Sequence, residues 1–214
     1  MTDFKNMWAF FSVLSSAFEE HIEAATFSRW LETGIFEGSP FGEDDRYIAQ
    51  GVRQVRLWLE DFNRDPGLQE RLSQDYLQLF VGVPKPLAPF WGSFYTQEEK
   101  LLFHEKTAET GRWYRKYGLG VRQEKGMPDD YLVYELLFIT VMLEAYQREA
   151  KAGNREKAAV HRKDAVRFAK EQMMTWIPQW RDDVMLYGRT EYYRGLSNMV
   201  FGSVRRLSEM EVEP

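Results

Sequence analysis

Apolar residues recur along most of the chain at intervals of three and four, which is the spacing of one face of an α-helix. One such stripe is formed by Ile48, Val52, Val55, Leu59 and Phe62. The same spacing appears in four more sets: Phe4, Trp8, Phe11 and Phe18; Leu68, Leu72, Tyr76 and Leu79; Leu132, Leu136, Ile139, Leu143 and Tyr146; and Tyr193, Leu196, Val200, Val204 and Leu207. The pattern predicts an all-α protein.

The segment 130–152 is the most apolar of these predicted helices. Besides its inward stripe it carries Leu137, Phe138, Val141 and Met142 on its other faces. A helix that is apolar nearly all round is normally buried on all sides. This helix is therefore expected at the centre of the fold.

Helix-breaking residues concentrate at 33–44, 82–95, 118–129 and 152–154. No run of residues alternates in the manner of a strand, and no internal repeat or long low-complexity linker separates the helices. The simplest architecture is one all-helical domain over residues 1–214, with about nine to eleven helices packed on one another. A two-lobed variant, divided near residues 118–129, is the alternative.

Composition narrows the class of protein. The chain has 214 residues, with 28 Lys and Arg against 33 Asp and Glu, so a sequence-independent nucleic-acid binder is not expected. Its hydrophobic content of 44%, with seven Trp and no Cys, argues against disorder and excludes disulfides and thiolate chemistry. No apolar run approaches the roughly 18 residues of a spanning helix, and no secretory signal is visible after Met1. We expect a soluble, cytoplasmic protein with no integral membrane segment.

Catalytic motifs are missing from the sequence. The three histidines, His21, His104 and His161, are far apart, and none belongs to a metal-binding helix motif. The segment 118–120 begins like a dinucleotide-binding loop, but position 123 is Gln and no strand precedes it. The sequence therefore predicts no enzyme activity, no catalytic residue, no metal site and no cofactor.

Residues 84–95 are unusual for an all-helical protein. Three prolines lie within residues 84–89 and favour an extended path. Gly92 permits a tight turn or a close backbone approach. Four aromatic residues follow the prolines: Phe90, Trp91, Phe94 and Tyr95. The segment is either a rigid loop that places Trp91 and Tyr95 in the core, or the aromatic wall of a binding groove.

A second unusual segment is acidic. Pro128, Asp129, Asp130 and Tyr131 precede the most apolar helix, and Glu135 lies in its first turns. Asp129 is a natural N-cap for that helix, and carboxylates near a helix N-terminus are favourable. The alternative interpretation is an acidic pocket that faces a cationic partner.

These segments resemble, in order and spacing, those of the TorD/DmsD-type redox-enzyme maturation chaperones. Residues 75–84 look like the family's Tyr-x-x-Leu-Phe-x-Gly-Pro stretch, and residues 89–95 resemble its Pro-Pro-Trp-Gly-Ser-Val-Tyr loop. Residues 128–138 are similar to Pro-Glu-Asp-His followed by Glu-Leu-x-Phe-Met, with weaker likeness at 176–180 and 192–196. The chain departs from the family pattern at Phe90, Phe94, Tyr131 and Ile139. Tyr131 stands at the usual histidine and cannot carry a positive charge near pH 6.

The resemblance implies an all-helical cytoplasmic chaperone, monomeric or homodimeric, for a molybdopterin-containing oxidoreductase. Such a chaperone binds the client's twin-arginine signal peptide or its apoprotein until the cofactor is inserted. In such a complex, carboxylates would bind the arginines of the signal peptide, and aromatic rings would contact its apolar stretch. The candidate client-binding residues are Trp91, Gly92, Ser93, Phe94, Tyr95, Pro128, Asp129, Asp130, Tyr131 and Glu135. The alternatives are an unrelated helical peptide-binding adaptor, or a helical enzyme with an unrecognised site near Asp129 and Asp130.

Overall fold

The computed structural model of the chain describes residues 4–18, 22–41, 44–62, 64–65, 67–82, 84–96, 105–121 and 126–211, with the backbone alone for residues 4 and 5. Within these ranges the chain forms ten α-helices and two π-helical turns, and the prediction of an all-α fold is confirmed. The helices are α1 (Phe4–Ser16), α2 (Ala24–Glu32), α3 (Arg46–Phe62), α4 (Gly67–Tyr76), α5 (Ser93–Thr96), α6 (Glu105–Lys116), α7 (Leu132–Lys151), α8 (Arg155–Phe168), α9 (Ile177–Tyr187) and α10 (Glu191–Ser208). The π turns Leu77–Val81 and Ala169–Met173 continue α4 and α8.

The helix surrounded by the others is α10, which packs along α3 and also contacts α1, α8, α9 and the second π turn. Helix α7 packs mainly on α1 and α8. The expectation that α7 is buried on all sides is wrong, because Leu137 and Val141 are 40% and 37% exposed. Its inward stripe is nevertheless buried as predicted, at Leu132, Leu136, Ile139 and Leu143.

The crossing of α3 and α10 brings two glycines into direct backbone contact. A Cβ atom at Gly51 would lie 2.5 Å from the Gly195 carbonyl oxygen, and one at Gly195 would lie 2.8 Å from the Gly51 carbonyl oxygen. Real Cβ atoms do not approach other heavy atoms so closely, so neither position has room for a side chain. Because neither glycine has a side chain, α3 and α10 can pack with their backbones in contact.

An aromatic cluster joins the ends of several helices. Phe18, just after α1, has ring contacts with Phe80, Phe90, Trp180 and Tyr193. The rings of Phe80 and Phe90 stack with centroids 3.9 Å apart, so the family's second proline is replaced by a buried core ring. Residues on both sides of segment 118–129 share this core, which argues against a division into two lobes there.

Buried Asp75 fixes the start of α10. Its carboxylate accepts the backbone N–H of Thr190 at 2.8 Å, the Thr190 hydroxyl at 2.6 Å and the backbone N–H of Arg189. These are donors at a helix N-terminus, where a negative charge is favourable. The first segment of the family resemblance therefore ties α4 to α10.

We expect Gly195→Ala to destabilise the fold. The added methyl group would overlap the Gly51 backbone at the α3/α10 crossing, and such overpacking costs about 1–3 kcal/mol. Gly38→Ala is the control, because no atom of the described residues lies within 4 Å of its Cβ position. Thermal unfolding should show a lower melting temperature for Gly195→Ala alone; equal melting temperatures would contradict the tight crossing.

Candidate functional site

The two unusual segments of the sequence are hydrogen-bonded to each other. The Gly92 N–H donates to the Asp130 carbonyl oxygen at 3.0 Å, and the Leu132 N–H donates to the Phe90 carbonyl oxygen at 2.7 Å. Trp91 and Tyr131 thus form an isolated antiparallel bridge. The structure brings together two groups of residues that are far apart in sequence.

Asp130 is fully buried where the two segments meet, a contact that we call the junction. Both of its carboxylate oxygens accept hydrogen bonds from groups within the protein. Oδ2 accepts the Ser93 N–H at 2.5 Å and Oδ1 accepts the Thr107 hydroxyl at 2.8 Å. Asp130 therefore links the aromatic segment to α6. The predicted N-cap role of Asp129 is wrong: α7 begins at Leu132, and Tyr131 occupies the N-cap position, where its side chain does not cap the helix.

Glu135 lies deeper in the same junction and is also fully buried. Its Oε2 accepts the indole N–H of Trp176 at 3.1 Å. A Cβ atom at Gly92 would lie 2.9 Å from that indole nitrogen, so the absence of a side chain at Gly92 lets Trp176 approach the bridge. Tyr95 stacks on Trp176 with ring centroids 5.7 Å apart.

A buried lysine completes the polar interior. The Lys106 ammonium donates to the Gln172 carbonyl oxygen at 2.7 Å and to its side-chain oxygen at 2.9 Å. Burial raises the pKa of Glu135 to about 8; the Lys106 charge opposes this rise and the Asp130 charge adds to it. Burial in turn lowers the pKa of Lys106. Burial therefore favours the neutral carboxyl form of Glu135.

Of the candidate residues, Trp91, Phe94, Tyr95, Asp129 and Tyr131 are only partly buried, whereas Gly92, Ser93, Pro128, Asp130 and Glu135 are buried. Tyr131 packs its ring edge-on against Phe90 and Tyr134, with centroids 5.6 and 5.2 Å away. Among the three candidate carboxylates, Asp129 is the one that reaches the surface. The buried members shape the junction from within.

A groove opens beside this junction between α6 and α7. Its polar half is a cavity of about 520 Å³ bounded by Thr107, Gly111, Arg115, Met127 and Asp129. Its apolar half, of about 410 Å³, follows α7 along Tyr134, Leu137, Phe138 and Val141. The two halves share a wall formed by Tyr114, Leu119, Gly120 and Val121. We call the whole the α6/α7 groove.

Asp129 is held against α6 at the polar half. A Cβ atom at Gly111 would lie 2.2 Å from Asp129 Oδ2 and 3.0 Å from a terminal nitrogen of Arg115. The Tyr114 hydroxyl donates to the Asp129 carbonyl oxygen at 2.8 Å. Burial raises the pKa of Asp129, while the Arg115 charge opposes that rise and the Asp130 charge adds to it.

The apolar half exposes two side chains that lie one turn apart on α7. Leu137 and Val141 are open to solvent there, and Met127, at the polar half, is 42% exposed. Contiguous exposed apolar side chains mark interaction sites more often than isolated ones do. In the sequence, Leu137 and Val141 stand out as an apolar pair outside the inward stripe of α7. Nothing in the sequence pointed to Gly111 or Arg115.

Other kinds of site find no support in the described ranges. No group of three or more His, Asp or Glu side chains there is placed to hold a metal ion. His161 is partly buried beside Tyr117, while His21 and His104 lie outside the described residues. None of the described helices is long and apolar enough to cross a lipid bilayer.

Residues 45–182 match the model of the family described as nitrate reductase delta subunit. The chain belongs to this family. The match covers the bridge between Trp91 and Tyr131, the α6/α7 groove and Trp176. The matched range thus includes every candidate client-binding residue named from the sequence.

Similarity to individual proteins is lower but extends over much of the chain. The chaperone protein TorD of Aliivibrio fischeri is 20% identical over 170 residues, which is 78% of each chain. The probable Tat proofreading chaperone DmsD of Haemophilus influenzae is 21% identical over 70% of this chain and 64% of its own. TorD of Photobacterium profundum is 26% identical over 65% of this chain and 66% of its own. The TorD/DmsD-type resemblance is confirmed, and these relatives are named as chaperones and not as enzymes.

We expect Glu135→Gln to change how stability depends on pH. The pKa of Glu135 in the fold lies above its ordinary value, so the native state holds a proton that the unfolded chain releases. Its contribution is complete at acidic pH and is lost as the pH rises towards about 8. The glutamine variant keeps the shape without this loss, and should be more stable than wild type at pH 8, by up to about 4 kcal/mol, and no more stable at pH 4.5.

Chemical denaturation at a series of pH values checks this expectation. Glu144→Gln, at an exposed position of the same helix, is the control and should follow the wild-type profile. Parallel profiles for wild type and Glu135→Gln would mean that this carboxyl stays ionised in the fold.

Proposed function

We propose that this protein is a cytoplasmic chaperone for a molybdopterin-containing oxidoreductase, and that it holds the client's twin-arginine signal peptide in the α6/α7 groove. Membership of the family and similarity to proteins named TorD and Tat proofreading chaperone DmsD support the chaperone role. The main observation that supports this binding site is the order of chemical groups along the groove. A partly exposed carboxylate lies at one end, and exposed aliphatic side chains lie at the other.

The carboxylate end suits an arginine. Asp129 offers its side chain at the rim of the polar half, and a guanidinium can bind a carboxylate through two parallel hydrogen bonds. Asp130 and Glu135 take a supporting role in this proposal. Their internal hydrogen bonds fix the segment that carries Asp129 and the helix that follows it.

The aliphatic end suits the apolar stretch that follows the arginines. Tyr134, Leu137, Phe138 and Val141 repeat at the helical spacing of three and four, so they form one ridge along α7. A short apolar helix can dock on such a ridge in the manner of helix-in-groove recognition. No bond is made or broken in this binding, in keeping with the absence of catalytic motifs from the sequence.

We expect Asp129→Asn to weaken binding of a peptide that carries an arginine pair followed by an apolar stretch. The amide keeps the shape but removes the charge, and losing a charge-assisted hydrogen bond costs about 1.5–3 kcal/mol, roughly ten- to a hundredfold in Kd. Asp129 is changed alone because replacing Asp130 would break buried bonds. Titration calorimetry at low and high salt measures the loss, which should shrink at high salt.

The controls for this experiment are a variant and a peptide. Asp182→Asn removes an equal charge at an exposed position of α9 and should bind as wild type. A peptide with Lys-Lys in place of Arg-Arg should bind wild type less well, because lysine cannot form the bidentate pair. Equal affinity of wild type and Asp129→Asn for the arginine peptide at both salt concentrations would contradict the proposed site.

We expect Leu137→Ser to weaken binding of the same peptide, because it removes apolar contact in the apolar half of the groove. The loss should be about 1–2 kcal/mol, since the side chain is already partly buried in the free protein. Leu186→Ser on α9, where the side chain is 68% exposed and outside the groove, is the matched control. Both variants should melt close to wild type, and equal binding by both would exclude the apolar half as the docking surface.

A further inference from the structure

A glycine lies in the interior of α6, where this helix meets the acidic segment. Gly111 is buried, and glycine inside a helix is less favourable than alanine. The space left by its missing side chain is occupied by the Asp129 carboxylate. A Cβ atom at Gly111 would lie 2.2 Å from Asp129 Oδ2 and 3.3 Å from Asp129 Cγ. An alanine side chain at 111 and the carboxylate in its present place therefore exclude each other.

The backbone of Asp129 is tied to the same helix. The Tyr114 hydroxyl donates to the Asp129 carbonyl oxygen at 2.8 Å, and the Tyr131 N–H donates to the Pro128 carbonyl oxygen at 3.1 Å. Burial raises the pKa of Tyr114 further above its ordinary value, so the hydroxyl stays protonated and can donate. The main chain that carries the carboxylate is thus fixed on both sides of Asp129.

The carboxylate itself is placed by shape. Both oxygens of Asp130 accept hydrogen bonds from Ser93 and Thr107, whereas the Asp129 side chain forms no hydrogen bond or ion pair with any described residue. A side chain on a fixed backbone chooses among a few staggered positions. The space over Gly111 admits the position in which the Asp129 carboxylate lines the polar half of the α6/α7 groove.

We propose that Gly111 and Tyr114 are positioning residues that aim the Asp129 carboxylate at the arginine of a client. This inference rests on the proposed function and identifies what makes the polar half selective for arginine over lysine. Two parallel hydrogen bonds form only when both carboxylate oxygens face the guanidinium fork, whereas a lysine ammonium acts as a point charge. Displacing the carboxylate should therefore weaken binding of arginine more than binding of lysine.

The test is the ratio of the affinities for two peptides that carry Arg-Arg or Lys-Lys before the same apolar stretch. Gly111→Ala should lower the preference for Arg-Arg by about three- to tenfold, because the methyl group displaces the carboxylate without removing its charge. In an Asp129→Asn background the same change should leave the ratio unaltered. Titration calorimetry with both peptides measures the ratio.

Gly111→Ala should melt at or above the wild-type temperature. Alanine favours the helix, and the atoms that the methyl group displaces are the ends of two side chains, those of partly buried Asp129 and exposed Arg115. A loss of arginine preference without a loss of stability would distinguish positioning from a general structural role.

Two further variants complete the experiment. Gly120→Ala adds the same methyl group to the shared wall of the groove, where no atom of the described residues lies within 4 Å of its Cβ position. This control should leave the ratio unchanged. Tyr114→Phe removes one hydroxyl without adding volume, and should lower the preference for Arg-Arg because the backbone of Asp129 loses its tie to α6.

The outcomes separate this inference from the proposed function. An unchanged ratio in folded Gly111→Ala, with Asp129→Asn still weakening binding, overturns the positioning role and leaves Asp129 as the arginine site. An equal fall of the ratio in Gly120→Ala also overturns it. Loss of folding in Gly111→Ala leaves Tyr114→Phe to decide, and an unchanged ratio there overturns the role as well. Equal affinity of wild type and Asp129→Asn for the Arg-Arg peptide overturns the proposed site and this inference with it.

Discussion

A buried loop must find hydrogen-bond acceptors for its backbone N–H groups, and at the centre of this site that requirement is met by Asp130. Its backbone oxygen accepts from Gly92 and its carboxylate accepts from Ser93 and Thr107. Leaving such buried donors unpaired would cost about 1–3 kcal/mol each. One residue thus holds the aromatic segment, α6 and the start of α7 in a fixed arrangement. Thr107, one of these donors, also lines the polar half of the α6/α7 groove.

The residues of the family resemblance divide into two roles on this view. Gly92, Asp130 and Glu135 lie inside and set geometry: the glycine admits the Trp176 ring, and the two carboxyls bind interior donors. The surface that a partner can reach is made by neighbours of these residues, such as Asp129 and Leu137. The segments of the family resemblance therefore contain both the frame of the candidate site and residues at its surface.

Helices were predictable from the sequence because their periodicity is a local property. The inward stripes of α3, α7 and α10 are buried as expected, except that Val52 and Tyr146 are only partly buried. Two features that depend on tertiary contacts were not predictable. Because α7 is apolar on every face, the sequence predicts that Leu137 and Val141 are buried, yet among the described residues each is more than a third exposed. The sequence favours Asp129 as a natural N-cap of α7, whereas the carboxylate that accepts a hydrogen bond at a helix start in this junction is Asp130, which binds the Ser93 N–H of α5 from 37 positions away. Nothing in the spacing of Gly111 revealed that a carboxylate would rest on it.

The second π turn, Ala169–Met173, positions two groups of the site. A π turn contains one residue more than the α-helical turn it replaces, so it rotates everything that follows by about 100° relative to a continuous α-helix. Gln172 lies in this turn and accepts from Lys106, and Trp176 emerges from it in phase to reach Glu135. If the same residues 169–173 were wound as a regular α-helix, the segment that follows would be turned by about 100° and the indole would face away from its carboxyl. The π turn therefore absorbs one residue, and the position of Trp176 against the junction depends on how this turn is wound as well as on the identity of its residues.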